Sequence, residues 1–125
     1  GRGFPDVSAI GTGFVVYTNG VHTPVGGTSA STPTFGSMLS MINTMRLSSN
    51  KPVLGYVLPF IYEAWGTNPS AFNDITKSQV QDEGCCSARF DTVAGWDPYT
   101  GLGTPNFYIL SQLAMDSNLF TSFKE

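Results

Sequence analysis

Charge is scarce in this sequence. Only 12% of its 125 residues are Asp, Glu, Lys or Arg, while 41% are hydrophobic, which excludes a disordered, self-solvating chain. Basic residues number 6 against 9 acidic ones, for a formal net charge of -3. That balance leaves no electrostatic footprint for nucleic acid, and the charges are too scattered to draw a basic face for a membrane. No apolar run approaches the roughly 18 residues a membrane-crossing helix needs. Histidine occurs once, at His22, and cysteine only as the adjacent pair Cys85 and Cys86. Without a C-x-x-C pair or a Cys/His cluster, a zinc site is not expected.

The cysteine pair has its own constraint. Neighbouring Cα atoms lie about 3.8 Å apart, below the roughly 4.4–6.8 Å of an ordinary disulfide. At least one of the two is therefore expected to pair with a cysteine on a partner chain or another segment, in an oxidising compartment. Two buried free thiols are the alternative. The length suits one modest domain or part of a larger one. The opening GRGFPDVSA has neither an initiator Met nor a charged-then-apolar leader, so the expectation is a chain cut from something longer.

Residues 7 to 17, VSAIGTGFVVY, are apolar and β-branched enough for a buried strand. Thr18-Asn19-Gly20 contains the Asn-Gly pair of tight hairpins, and Val21 to Val25 reads as the return strand. Phe35, Met38, Leu39, Ile42 and Met45 then fall on one face of a helix whose first turn would hold Pro33. Ser48-Ser49-Asn50-Lys51-Pro52 ends it. A second helix fits residues 54 to 65, with Leu58, Ile61, Tyr62 and Trp65 on one side and Pro59 in its first turns. Residues 66 to 103 read as loop. Structureless loops beyond about 15 residues are uncommon unless something ties them down. A closing helix fits Phe107 to Met115.

The most informative stretch is residues 25 to 36, VGGTSASTPTFG. Glycines before a serine let the backbone turn sharply and leave room for a substrate chain. A helix starting just after it sets free amides and the positive end of the dipole beside the hydroxyl. Such a corner suits an acyl-transfer nucleophile facing a preorganised oxyanion site. The ordinary alternative is that Thr28, Ser29 or Ser31 simply caps the helix.

The string GGTSAS, followed by Thr32-Pro33 and a helix, resembles the serine signature of the sedolisin family, acid-acting serine peptidases that share the subtilisin fold. RGFPDVSA upstream is similar to the segment that precedes that signature, and GWDPYTGLGTPNF downstream to the family's C-terminal hallmark. Three landmarks in one order cover almost the whole chain. The resemblance implies an α/β, subtilisin-like fold with a parallel sheet, residues 1-125 being the C-terminal part of the peptidase domain. It assigns the nucleophile to Ser29, not Ser31. Where relatives often carry Asn-Pro before the second helix, this chain reads Leu58-Pro59-Phe60-Ile61-Tyr62, a change that touches helix capping and not the chemistry.

A hydroxyl needs a base within hydrogen-bond reach. His22, on the return strand, reads as a solvated histidine, since a subtilisin-like histidine would come far upstream. In sedolisins the base is a glutamate oriented by an aspartate, and a second aspartate donates to the oxyanion; all three lie upstream of the matched region. A carboxylate base, with an ordinary pKa of about 4.3, works best in acid, and a carboxylic acid donor must be protonated. The expectation is thus a peptidase active at acidic pH, secreted or in a vacuolar or lysosomal compartment. Its partners would be a peptide or protein substrate and an upstream segment or chain of the same precursor carrying Glu and Asp. This chain alone is not expected to be competent. The alternatives are a non-catalytic fragment or homologue kept as a binding or structural module, and a subtilisin relative with its histidine upstream.

Asp74 and Asp97 bracket the long loop. On spacing alone they are ordinary Asx-turn residues. Hard cations, however, take oxygens from carboxylates and carbonyls. The resemblance implies one structural Ca²⁺ held by Asp74, the Ile75 carbonyl, the Val93 and Gly95 carbonyls, and Asp97, with water completing the shell. Asp82, Glu83 and Asp91 read as solvated charges. Trp96, Tyr99 and Phe107 read as packing residues, and Arg2 with Asp6 as a local ion pair.

Overall fold

The computed structural model of the chain describes residues 2–77 and 90–116. Cys85, Cys86, Asp82 and Glu83 lie outside the described residues, so the cysteine pairing and those two charges are not addressed by it. The elements run β1 (Phe14–Thr18), β2 (Val21–Val25), α1 (Thr28–Ser48), α2 (Val57–Thr67), a single 3-10 turn (Pro69–Ala71), β3 (Phe72–Asn73), β4 (Thr104–Pro105) and α3 (Phe107–Met115).

The first hairpin follows from its turn. Thr18 pairs with Val21 across the two-residue loop Asn19-Gly20, and both loop residues have positive φ, 52° and 78°. That is the type I′ geometry Asn-Gly favours, because its twist matches the strands it joins. The strand itself departs from expectation. Only residues 14 to 18 pair; residues 7 to 13 do not, and the hairpin is exposed, with Val15 at 64% and Tyr17 at 70%. Hydrophobic composition marks a surface that can be buried, but burial needs a neighbour, and none of the described elements covers it.

The fold is mixed helix and small antiparallel sheet, in keeping with part of an α/β domain. Both sheets among the described residues, β1–β2 and β3–β4, are two-stranded and antiparallel. A parallel sheet needs strands joined by long crossovers, and no such pair occurs among them. The core lies between the helices: Ile42 of α1; Leu54, which precedes α2; Phe60, Ile61 and Ala64 of α2; Phe72 and Leu102; and Leu110 and Ala114 of α3.

Helix α1 begins at Thr28, earlier than Pro33 suggests, so the proline falls in the second turn. Its buried line runs Phe35, Leu39, Ile42, Arg46 at spacings of four, three and four, while Met45 is 40% exposed. Periodicity favoured Met45 because it is apolar. The structure buries Arg46 instead, at 4% exposure, since its guanidinium reaches backbone acceptors: Nε donates to Pro52 O at 2.7 Å and Nη1 to Ala114 O at the end of α3. Burial lowers the Arg46 pKa from its ordinary value. A cation there also suits the negative end of the α3 dipole.

Helix α2 starts at Val57 with Pro59 in its first turn, and Tyr56 caps it without a side-chain bond. Its deepest residues are Phe60, Ile61 and Ala64. Tyr62, expected on the packed side, is 38% exposed and instead donates its hydroxyl to Asp6 Oδ1 at 2.8 Å. Burial and that carboxylate push the Tyr62 pKa up to about 12. Helix α3 matches its expected bounds, and Asn106 caps it by accepting from the Ile109 amide at 3.4 Å. The expected 66-to-103 loop is not bare: it contains the 3-10 turn and β3, whose partner β4 follows the loop. No described helix is long and apolar enough to cross a membrane.

Candidate active site

The serine corner is built by backbone. Gly27 stands at the cap of α1 with φ 103° and ψ −179°, a region essentially closed to residues with a side chain. Its amide donates to Gly11 O, and a Cβ added at Gly26 would lie 2.6 Å from the same oxygen. The two glycines therefore let the chain press against residue 11 before it turns into the helix. Gly27 O accepts from the Ala30 and Ser31 amides at 2.9 and 3.3 Å, which leaves the Thr28 and Ser29 amides outside the helical ladder. No side chain caps them.

Ser29 and Ser31 are sorted by this geometry. Two helical steps turn a side chain through about 200°, so the two hydroxyls point to nearly opposite sides. Ser29 is exposed, and among the described residues none hydrogen-bonds its hydroxyl. Ser31 is half-buried; its hydroxyl donates to Ala9 O at 3.1 Å and approaches Gly27 O at 3.5 Å. A hydroxyl committed to a carbonyl is not free to attack, whereas an open one beside free amides is available once a base takes its proton. His22 is exposed on β2, with its ring edge-on to Tyr17 at 5.1 Å.

Next to the corner lies a cavity of about 380 Å³ between residues 5–9 and the start of α1, lined by Val7, Ser8, Thr28, Ser31, Phe35 and Tyr99 among others. Tyr99 is 45% exposed, so it borders this space and does not pack in the core as expected; Trp96 and Phe107 do pack against the core. Arg2 and Asp6 form the expected ion pair, at 3.3 Å.

The second candidate region is the 93–101 turn. Asp97 is fully buried, at 0% exposure. Its Oδ1 accepts from the Tyr99 and Thr100 amides at 2.9 and 2.7 Å, its Oδ2 from the Val93 amide at 3.2 Å, and the Thr100 hydroxyl lies 3.2 Å from both oxygens. Burial alone would raise the carboxyl pKa. The donors from Thr100, Tyr99 and Val93 outweigh it and hold the group below its ordinary 3.8. Asp74, exposed, accepts from the Gly95 amide through Oδ2 at 2.7 Å. Both carboxylates thus converge on Val93–Asp97, and Ile75 follows Asp74 half-buried. The bond from Asp97 to the amide two residues on is also the ordinary Asx turn. Asp91 is exposed, as a solvated charge should be.

Residues 5–9 bridge the two regions. The Leu102 amide donates to Asp6 O at 2.9 Å, the Ser8 amide to Gly103 O at 3.0 Å, and the Ser8 hydroxyl to Thr100 O at 2.8 Å. Trp96 Nε1 donates to Pro5 O at 3.0 Å. Gly101, at φ 62°, permits the approach, because a Cβ there would meet Asp6 O at 2.4 Å. Ser8 and Thr100 carried no sequence signal of their own: two hydroxyl residues 92 positions apart announce nothing until the chain folds.

The chain is similar over most of its length to several known proteins. No family model matches the chain. Physarolisin of Physarum polycephalum is 45% identical over 108 residues, covering 85% of this chain and 19% of that protein. Tripeptidyl-peptidase SED3 of Arthroderma otae is 43% identical over 129 residues, 93% of this chain and 21% of the relative. Tripeptidyl-peptidase 1 of Canis lupus familiaris is 45% identical over 116 residues, 86% and 19%. The chain spans about a fifth of the length of the curated relatives it matches.

Proposed function

We propose, from the premise that this chain is homologous over most of its length to hydrolases of the sedolisin family, that it is the serine-bearing, C-terminal part of a subtilisin-like peptidase domain acting at acidic pH. One observation carries the reading: the Ser29 hydroxyl is exposed at an uncapped helix start, while its neighbour Ser31 is tied to a carbonyl. The parallel sheet of such a domain would come from upstream polypeptide, and the apolar, exposed hairpin supplies a surface for it to cover.

In the reaction, a carboxylate base from the upstream segment takes the Ser29 hydroxyl proton as the oxygen attacks the scissile carbonyl. The C–O bond forms, and the carbonyl oxygen becomes an oxyanion within reach of the open first-turn amides. Collapse breaks the C–N bond, and the leaving amine takes the proton back from the base. Water, activated by the same carboxylate, then hydrolyses the acyl-serine and restores the hydroxyl. A carboxylate base assigns the working range to acid, and with it a secreted, vacuolar or lysosomal setting. Tripeptide-releasing and internal cleavage both remain within this chemistry.

The resemblance assigns one structural Ca²⁺ to the oxygens of Asp74 and Asp97 and the carbonyls of Ile75, Val93 and Gly95, donors of the kind a hard cation takes; here the two carboxylates accept from the Val93 and Gly95 amides. Bound there, the ion would brace the loop that joins Asp74 to Asp97. A chelator should then lower the melting temperature of the purified peptidase, with Ca²⁺ restoring it and Mg²⁺ not.

The nucleophile is tested by treating the active protein, at the length of its relatives, with a serine-directed fluorophosphonate, whose phosphorus bonds to the serine oxygen as fluoride leaves, and mapping the stable adduct by mass spectrometry. Modification at Ser29, lost in Ser29→Ala, supports the reading. An active enzyme modified elsewhere overturns it. A correctly folded protein with no hydrolysis from acid to neutral pH would favour the non-catalytic module, and a neutral optimum a histidine-based relative.

A further inference from the structure

We infer that Ser31 is a positioning residue for Ser29, acting with Ser8 through the Asp6–Ala9 segment so that the register of the serine corner is set by the Asp97 turn. This rests on the reading of Ser29 as the nucleophile. Four connected observations carry it. The Ser31 hydroxyl, half-buried, donates to Ala9 O at 3.1 Å, tying the first turn of α1 to that segment. The residue before Ala9 is Ser8, whose amide and hydroxyl donate to Gly103 O and Thr100 O at 3.0 and 2.8 Å. Thr100 is buried, and its amide and hydroxyl donate to the Asp97 carboxylate at 2.7 and 3.2 Å. Finally, the cavity of about 380 Å³ lies between the segment and the start of α1, lined by Ser8, Ala9, Thr28 and Ser31. The helix start is not packed flush against its support, so direction there is set by a few hydrogen bonds.

The contact also has little slack. A Cβ added at Gly11 would come within 2.5 Å of the Ser31 hydroxyl oxygen, so chain 9–11 closes tightly over it. Ser29 precedes Ser31 by two residues of rigid helix. A small rotation of that turn moves the Ser29 oxygen and its amide together. Such a shift costs turnover without changing how remote parts of a peptide bind, since misplacement of reacting atoms by about 1 Å can cost about 10²-fold. Other serines of α1 do not share the role. Ser37, for example, donates only to Pro33 O of its own helix at 2.7 Å and is exposed.

The test is steady-state kinetics on the complete peptidase, with Ser31→Ala, Ser8→Ala, the double variant, and Ser37→Ala as a control. Ser31→Ala should lower kcat by about tenfold with KM within about twofold, and Ser8→Ala should lower kcat by about threefold. The double variant should lose less than the product of the two, because both act through one segment. Ser37→Ala should leave both constants unchanged. Thermal unfolding of each variant shows whether the fold survives; if Ser31→Ala fails to fold, the kcat of folded Ser8→Ala decides alone. Unchanged kcat in Ser31→Ala, or strictly multiplicative losses, would overturn the inference. Turnover retained in Ser29→Ala is a different result and removes the nucleophile assignment itself.

Discussion

The serine corner and the Asp97 turn handle polar groups in opposite ways. At the corner, two amides of α1 lie outside the helical ladder, no side chain caps them, and the Ser29 hydroxyl is exposed. At Asp97, a fully buried carboxylate is surrounded by amides and a hydroxyl, three backbone donors among them. An unsatisfied polar group is costly unless water or a ligand completes it, whereas a satisfied buried charge makes the surrounding chain rigid. The difference separates a place with open polar groups from a place that holds the scaffold still. Residues 5–9 touch both, which is how one can serve the other.

The largest expected effect breaks the comparison on the open side. Ser29→Ala in the complete peptidase should lower kcat by about 10⁴-fold or more while leaving the unfolding transition unchanged, as measured by kinetics and calorimetry on the same preparation. A parallel loss of stability would mean that Ser29 is a structural cap.

On the saturated side the signs reverse. Asp97→Ala should destabilise the protein by about 3 kcal/mol in denaturant unfolding, chiefly by leaving buried donors unpaired. Its carboxyl is held below 3.8, so its charged-state stabilisation is fully present above that value and is lost as pH falls through the lower folded-state pKa. The stability gap between the native protein and Asp97→Ala should therefore stay constant from neutral pH down to about 4 and narrow only in stronger acid. A gap that closes by pH 6 would show that the amides do not hold the anion.

The smallest effect sharpens the boundary between the two. Gly27→Ala meets no neighbouring atom within 4 Å, so any cost comes from the backbone, at φ 103°. About 1–3 kcal/mol of strain is expected, and relaxation of the corner to relieve it should lower kcat more than it raises KM. Activity unaffected by this substitution would mean that the corner does not depend on that backbone state.

Legibility followed the range of the determinants. The Asn19-Gly20 hairpin and α3 were readable because turn chemistry and the apolar spacing of a short helix act within a few residues. The serine corner was readable for the same reason, and the family string already favoured Ser29 over Ser31; only the fold shows Ser31 bonded to Ala9 O. Arg46 was missed because periodicity counts apolar side chains and does not see carbonyls 6 and 68 residues away. The first residues of the expected buried strand stayed unpaired because pairing requires an edge that these residues do not supply. Pro33 misled on the helix start: α1 begins at Thr28, and the proline falls in its second turn.

Local chemistry in the sequence determined the glycine bend, the helix that follows, the tight hairpin and the resemblance to known peptidases, because each depends on neighbours or on a contiguous string. Tertiary structure alone decided which serine is open, which arginine is buried, and that Ser8, Thr100 and Asp97 form one connected support. Those outcomes depend on donors and acceptors separated by most of the chain, and hydrogen bonds select by distance in space, not by distance along the backbone.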